Sequence, residues 1–212
     1  MPVPACRPRR EFNQVFNWAR TMPGDRREAL VTAAFHQLAE RGFEGLRTRE
    51  VALEAGVNIA TLHYYFPTKE KLIEGVVERA MQMFRTTLEP HGSPSDQLRN
   101  HLRAARRLMK DEPQLGIVMG ELALRSARDP AIARIMSETN DGWHRTVRGV
   151  LRRAVKAGSL RPEMDSDEVA AMIVATLTSM MLPTASGGTR SDLALRQLER
   201  WLGLGGIRRS SN

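Results

Sequence analysis

The chain has 212 residues, 42% hydrophobic and 26% charged, with a net charge of +8. That length can bury a substantial core in one or two domains, and the basic balance favours a polyanionic partner. A single cysteine, Cys6, excludes an intramolecular disulfide and any cysteine-built metal site.

Residues 1–23 read as a flexible basic arm, with early prolines, Arg7, Arg9 and Arg10, then EFNQVFNWAR. Two roles are open to it: a disordered tail, or an arginine-bearing arm that enters the minor groove beside a major-groove helix. Met22 opens MPGDRREAL and is a second candidate start of translation.

Residues 24–68 read as three short helices. Leu30, Ala34 and Leu38, with Phe35 beside them, recur at helical spacing and form one buried face. Gly42 ends this first helix, since glycine tolerates the left-handed conformation common at helix C-termini. Thr48 stands where an N-cap belongs, and Val51, Ala52 and Ala55 face inward on a second helix. Gly56 permits a sharp turn, and Asn58 caps a third helix whose Leu62 and Phe66 face the core. Ile59 and His63 lie on the opposite face, where a groove-reading helix presents its side chains. Residues 24–72 hold seven basic and seven acidic residues, so the motif, rather than net charge, points to DNA.

AAFHQLAERGFEGL, TREVALEAGV, ATLHYYF and PTKEKL, in this order and spacing, resemble the N-terminal domain of TetR-family transcriptional regulators. By position, the resemblance implies phosphate contacts from Thr48, Tyr64 and Lys69, which set register without reading sequence. It places Arg49, Asn58, Ile59, Ala60, Thr61 and His63 within reach of base edges. Arg49 suits guanine because its fork matches the O6 and N7 acceptors. The family commonly carries tyrosine at the position of His63 and histidine at that of Tyr65, so base recognition differs here. Tyr65 is expected to pack in the core.

Residues 69–203 read as helices with short breaks, an all-α regulatory and dimerisation domain, followed by a disordered tail at 204–212. A helix from Thr68 to about Leu88 carries Leu72, Val76, Arg79, Ala80 and Met83. A second, Gln97 to Lys110, buries Leu98, Leu102 and Ala105 and turns its arginines outward. Pro113 and Pro130 open the next two, and Gly158 ends the longer one. Asp165, Asp167 and Glu168 start a helix that is uncharged from Val169 to Leu182 and must therefore be buried on every side. The uncharged run continues to Thr189 but is broken by Pro183, Gly187 and Gly188, too short in its apolar part for a membrane span. Asp192 to Leu202 forms the last helix.

The resemblance implies that the two final helices pair with those of a second copy; Met172, Ile173, Thr176, Met180, Leu195, Leu198 and Leu202 are the interface candidates. It also implies a cavity for a small apolar or amphipathic ligand. Met83, Met109, Met119 and Met172 are candidate walls, since methionine suits adaptable pockets as well as cores. His101, Glu121, Trp143 and Thr176 are candidate orienting groups. The expected protein is a cytoplasmic homodimeric repressor that reads a near-palindromic operator and is released by ligand, with no cofactor. An activator, a regulator answering to a protein partner and a nonspecific DNA binder are the alternatives. The five histidines show no paired metal spacing, and neither a glycine-rich phosphate loop nor a nucleophile elbow is present, which argues against an enzyme.

Overall fold

A computed structural model describes residues 23–88, 91–181 and 189–204, and every regular element among them is a helix. In chain order these are α1 (Pro23–Gly45), α2 (Thr48–Glu54), α3 (Ile59–Tyr65), α4 (Lys69–Arg85) and α5 (Pro94–Asp111). They continue with α6 (Pro113–Ser126), α7 (Pro130–Lys156), α8 (Ser166–Ser179) and α9 (Thr189–Trp201). The arm at 1–22 and the tail beyond 204 lie outside the described residues. Leu204, assigned to the tail, is buried, and its carbonyl accepts a hydrogen bond from Arg99 Nε at 2.5 Å.

The first three helices close around Leu30, Ala34, Leu38, Val51, Ala52 and Leu62, all buried. Gly42 interrupts α1 at φ 68°, as its position foretells, and one further turn carries the chain to Gly45. Thr48 is not the cap of α2. That position belongs to Arg47, which makes no side-chain capping bond. The helix is held from α1 instead: buried Gln37 accepts from the Arg47 amide at 3.5 Å and donates to Glu54 at 3.1 Å, while Arg41 pairs with Glu50.

Thr68 caps α4 by accepting from the Lys71 amide at 3.3 Å, and the helix runs out of the three-helix unit into the rest of the molecule. Its buried stripe is Leu72, Ile73, Val76, Val77, Ala80, Met81 and Phe84. Met83, expected inside, stands on the flank of that stripe and is half-buried. Gly75 docks α4 against α1: an added Cβ would lie 3.0 Å from the Phe66 ring and 3.1 Å from Val31. Helix α5 starts three residues before its expected position because Ser93 accepts from the Asp96 amide, with Pro94 behind it.

Helices α6 and α7 open on Pro113 and Pro130, as expected, and Asp165 caps α8 through the Asp167 and Glu168 amides at 2.7 and 3.3 Å. One side of α8 (Val169, Ala170, Ile173, Val174, Leu177) is buried within the chain, and another (Ala171, Met172, Ala175) is exposed. Helix α9 lies along α5, held by Arg103–Glu199 and Arg106–Asp192. Its Leu195, Leu198 and Leu202 are buried beneath it.

Candidate DNA-binding surface and regulatory cavity

Asn58 positions α3. Its Oδ1 accepts from the Thr61 amide at 2.8 Å and from the Thr61 hydroxyl at 2.9 Å, satisfying donors that an uncapped helix start would leave bare. With Leu62 and Phe66 buried, the rest of the helix faces out: Ile59, Ala60, His63 and Tyr64 are exposed, Tyr64 to 80%. Tyr64 stands edge-on to Tyr65 at 5.1 Å between ring centroids, and half-buried Tyr65 packs on the core. Arg49 is exposed beside them on α2 and makes no ion pair among the described residues. Thr48 is half-buried at the start of the same helix. The structure therefore gathers Thr48, Arg49, Ile59, Ala60, His63 and Tyr64 on the two helices of the turn motif, while Thr61 commits its hydroxyl to the cap. Lys69 departs from expectation. Its ammonium donates to the Phe43 carbonyl at 3.0 Å and sits 4.1 Å above the Phe43 ring, and burial lowers its pKa. Only its remaining donors are free for another partner. Arg47 was missed in the sequence; it is an exposed guanidinium next to Thr48, and its neighbour Arg49 drew the attention instead.

Beyond this unit, a cavity of about 590 Å³ opens between α6, α7 and α8. Met81, Met119, Met136, Val174 and Met181 give it an apolar wall, with Asn140, Asp141 and His144 at one side. Of the predicted wall residues, Met119 and Trp143 line it. Methionine 83 lines a different groove, between α1, α4 and α5, and Met109 is buried in the core. Helix α8 presents Ala171, Val174, Ala175 and Thr178, so Met172 and Thr176 fall outside the wall, and the Thr176 hydroxyl bonds back to the Met172 carbonyl at 2.7 Å. The wall positions recur at helical spacing within the uncharged run; the sequence concealed only which of its faces was hollow.

The polar candidates are already partnered. His101 is fully buried; its Nε2 accepts from Trp143 Nε1 at 3.3 Å, and its Nδ1 lies 2.6 Å from the Thr87 hydroxyl, which reaches the Phe84 carbonyl at 2.6 Å. The indole can only donate, so the neutral ring carries its proton on Nδ1. Burial pushes the His101 pKa down to about 4, which keeps it in that form. It thus fixes Trp143 from behind rather than meeting a ligand. Glu121 faces the other way and accepts from the Phe43 amide at 2.9 Å. Arg125, one turn on, pairs with Glu44 at 2.6 Å and covers the Phe43 ring at 4.4 Å.

A family profile described as "Bacterial regulatory proteins, tetR family" matches residues 30–76, and one for "Tetracyclin repressor-like, C-terminal domain" matches residues 88–195. The chain belongs to the TetR family. It is accordingly a DNA-binding transcriptional regulator, with an N-terminal helix-turn-helix and a helical C-terminal domain. The HTH-type transcriptional repressor KstR2 of Mycolicibacterium smegmatis is 24% identical over 194 residues, covering 90% of this chain and 94% of that protein. A TetR-family regulator from Rhodococcus sp. superposes with a TM-score of 0.75 at 21% identity, over 84% of this chain and 97% of that one. A transcriptional regulator from Saccharomonospora viridis, solved in complex with choline, gives 0.64 at 22%, over 85% and 96%.

The TetR-family chain closes inside itself five of the seven residues predicted for its dimer face. Ile173, Met180, Leu195, Leu198 and Leu202 are all at most 5% accessible within one copy, because α8 and α9 use them to close their own protomer. Of the other two predicted residues, Met172 is 46% exposed and Thr176 is half-buried. Leu193 and Trp201 on α9 are exposed as well. On both helices the outward apolar positions were masked in the sequence by stronger inward ones.

Proposed function

We propose that this regulator is a homodimeric repressor that leaves a near-palindromic operator when a small apolar or amphipathic molecule enters the α6–α7–α8 cavity. One observation carries the reading: the two faces of α6 have different duties. Met119, Gly120 and Ala123 line the cavity, and between them Glu121 and Arg125 grip Phe43 and Glu44 at the end of α1. A ligand that displaces α6 also displaces the helix against which α2 and α3 are packed. Such a ligand releases DNA only through higher affinity for the displaced arrangement. The repressor names carried by relatives and the choline complex of a fold neighbour support the same reading.

In this reading α8 and α9 pair through Met172, Leu193 and Trp201, and the paired α3 helices address two half-sites about one or more helical turns apart. Base contact falls to Arg49, Asn58, Ile59, Ala60, Thr61 and His63, phosphate contact to Thr48 and Tyr64, with Arg47 added and Lys69 sharing its ammonium with Phe43. The test is selection from random duplex DNA at about physiological salt with competitor present. A palindromic consensus is expected, and no enrichment over random sequence defeats the specific dimeric regulator.

A further inference from the structure

A second cavity, of about 400 Å³, lies between α4 and α7, and it shares two wall residues with the larger one: Met81 and Trp143. Both residues therefore stand where the two cavities meet. The two differ in how firmly they are held. Trp143 is tied by its indole N–H to His101 and packs on Phe84 at 5.2 Å. The Met81 side chain makes no hydrogen bond among the described residues and has an unbranched stem, able to change rotamer without breaking one. The smaller cavity is floored by apolar groups (Val77, Phe84, Ile135) and edged by Arg85 and by Glu74, Glu78 and Glu138, which pair with Lys71, Arg27 and Arg134. The larger one has Asp141 at its edge. A carboxylate head at the larger cavity's edge would meet like charge in Asp141, whereas the glutamates of the smaller cavity are already paired with cations.

We infer that Met81 is a movable partition and that the two cavities form one channel for an elongated, unbranched apolar molecule whose head group is not anionic. This rests on the reading of the larger cavity as the effector site, and it names the shape and polarity of the effector. A compact ligand fills one chamber and leaves Met81 in place. A chain-like ligand pushes Met81 aside, passes along the Trp143 ring and lies against α4, the helix that continues directly from the recognition unit.

The experiment is calorimetric titration of the full chain with n-alkyltrimethylammonium ions, hexyl to tetradecyl, each below its micelle concentration. Three proteins are compared: wild type, M81L and M81I. Burial of each further methylene strengthens binding by roughly fourfold. In wild type and M81L this gain is expected to continue to the longest chains. The β-branched isoleucine is stiff at χ1, so whatever M81I does to the affinity of the shortest chains, its gain per methylene should stop at an intermediate length. Both substitutions roughly conserve volume, and thermal melting checks that both proteins fold. A gain that stops at the same chain length in wild type and M81I overturns the channel, because the chambers are then separate. Alkyl carboxylates of matched length are expected to bind at least tenfold more weakly, and equal binding overturns the head-group preference. If the folded wild type binds no chain of any length, the effector-site reading itself falls, an outcome distinct from a length series that merely stops early.

Discussion

The recognition unit and the regulatory bundle handle polar groups in opposite ways. Around α1 to α3, polar side chains work at the surface or as local anchors: Asn58 caps α3, Gln37 ties α2 to α1, and the interior is filled with leucine, valine and alanine. In the bundle, a histidine is fully buried and linked through a tryptophan to the edge of a cavity. A filled unit holds one shape and suits the presentation of a fixed surface to DNA. A hollow one, lined by methionines, has room to rearrange. Helix α1 joins them by packing on both α4 and α6, and Phe43 near its end is gripped from both.

The sharpest way to break this comparison is to put a charge into α8. Ile173→Asp buries an unpaired carboxylate at a site with no accessible surface and should remove several kcal/mol, enough to unfold the chain in a thermal melt. Met172→Asp, one residue away but 46% exposed, should leave the melt nearly unchanged while lowering the mass measured by light scattering from dimer to monomer. If M172D remains dimeric, the uncovered face of α8 is not the interface.

The next largest effect concerns the buried relay. His101 has a folded pKa of about 4 against an ordinary 6.5, so as pH falls the unfolded chain takes up its proton first. The stabilisation is complete above pH 6.5 and is lost progressively between 6.5 and 4. This shift corresponds to about 3 kcal/mol in all, of which about 2 kcal/mol is gone at pH 5. Urea unfolding at pH 7 and pH 5 should show the loss in wild type and a reduced loss in His101→Gln. An equal loss in both places the acid sensitivity elsewhere.

These two tests also mark where the sequence was legible. Helical periods, prolines at first turns and the order of the recognition motif are local signals, and they located the helices and the outward face of α3. Burial in a bundle is a property of neighbours. Ile173, Leu195, Leu198 and Leu202 were rightly read as apolar faces, but nothing in the sequence says whether a face meets its own chain or a second copy. Glu121 and His101 were read as ligand groups because a polar residue on an apolar helix suggests a site; each proved to have a partner more than 40 residues away in the sequence.

Coupling between the two regions should respond to Arg125→Ala, which removes the ion pair to Glu44 and the cover over Phe43. Ligand and operator should each still bind alone, while the ligand's power to weaken operator affinity falls by part of a coupling energy of about 1–3 kcal/mol. Unchanged coupling would move transmission to α4. On the DNA side, Arg49→Ala should cost about 1–3 kcal/mol at one base position of the selected consensus, if its guanidinium makes the bidentate contact its exposure permits. A uniform loss across all sequences would make Arg49 a phosphate contact instead.

The smallest effect separates two residues that look alike in the sequence. Asn58 and Thr48 both precede or open short helices in the motif, yet only Asn58 caps one. Asn58→Ala strips the acceptor from both the Thr61 amide and the Thr61 hydroxyl, and should cost about 1 kcal/mol of stability in urea unfolding. Thr48→Ala removes no capping bond, because the start of α2 is tied to Gln37 and Arg41 instead, and should stay within about 0.5 kcal/mol of wild type. Both variants should weaken operator binding, and the stability measurement tells the reasons apart. Asn58→Ala weakens it at least partly by loosening α3; Thr48→Ala does so only if its hydroxyl touches the backbone of the DNA. Equal stability losses would mean that the cap of α3 matters no more than the uncapped start of α2, and that tertiary packing alone holds the recognition helix in place.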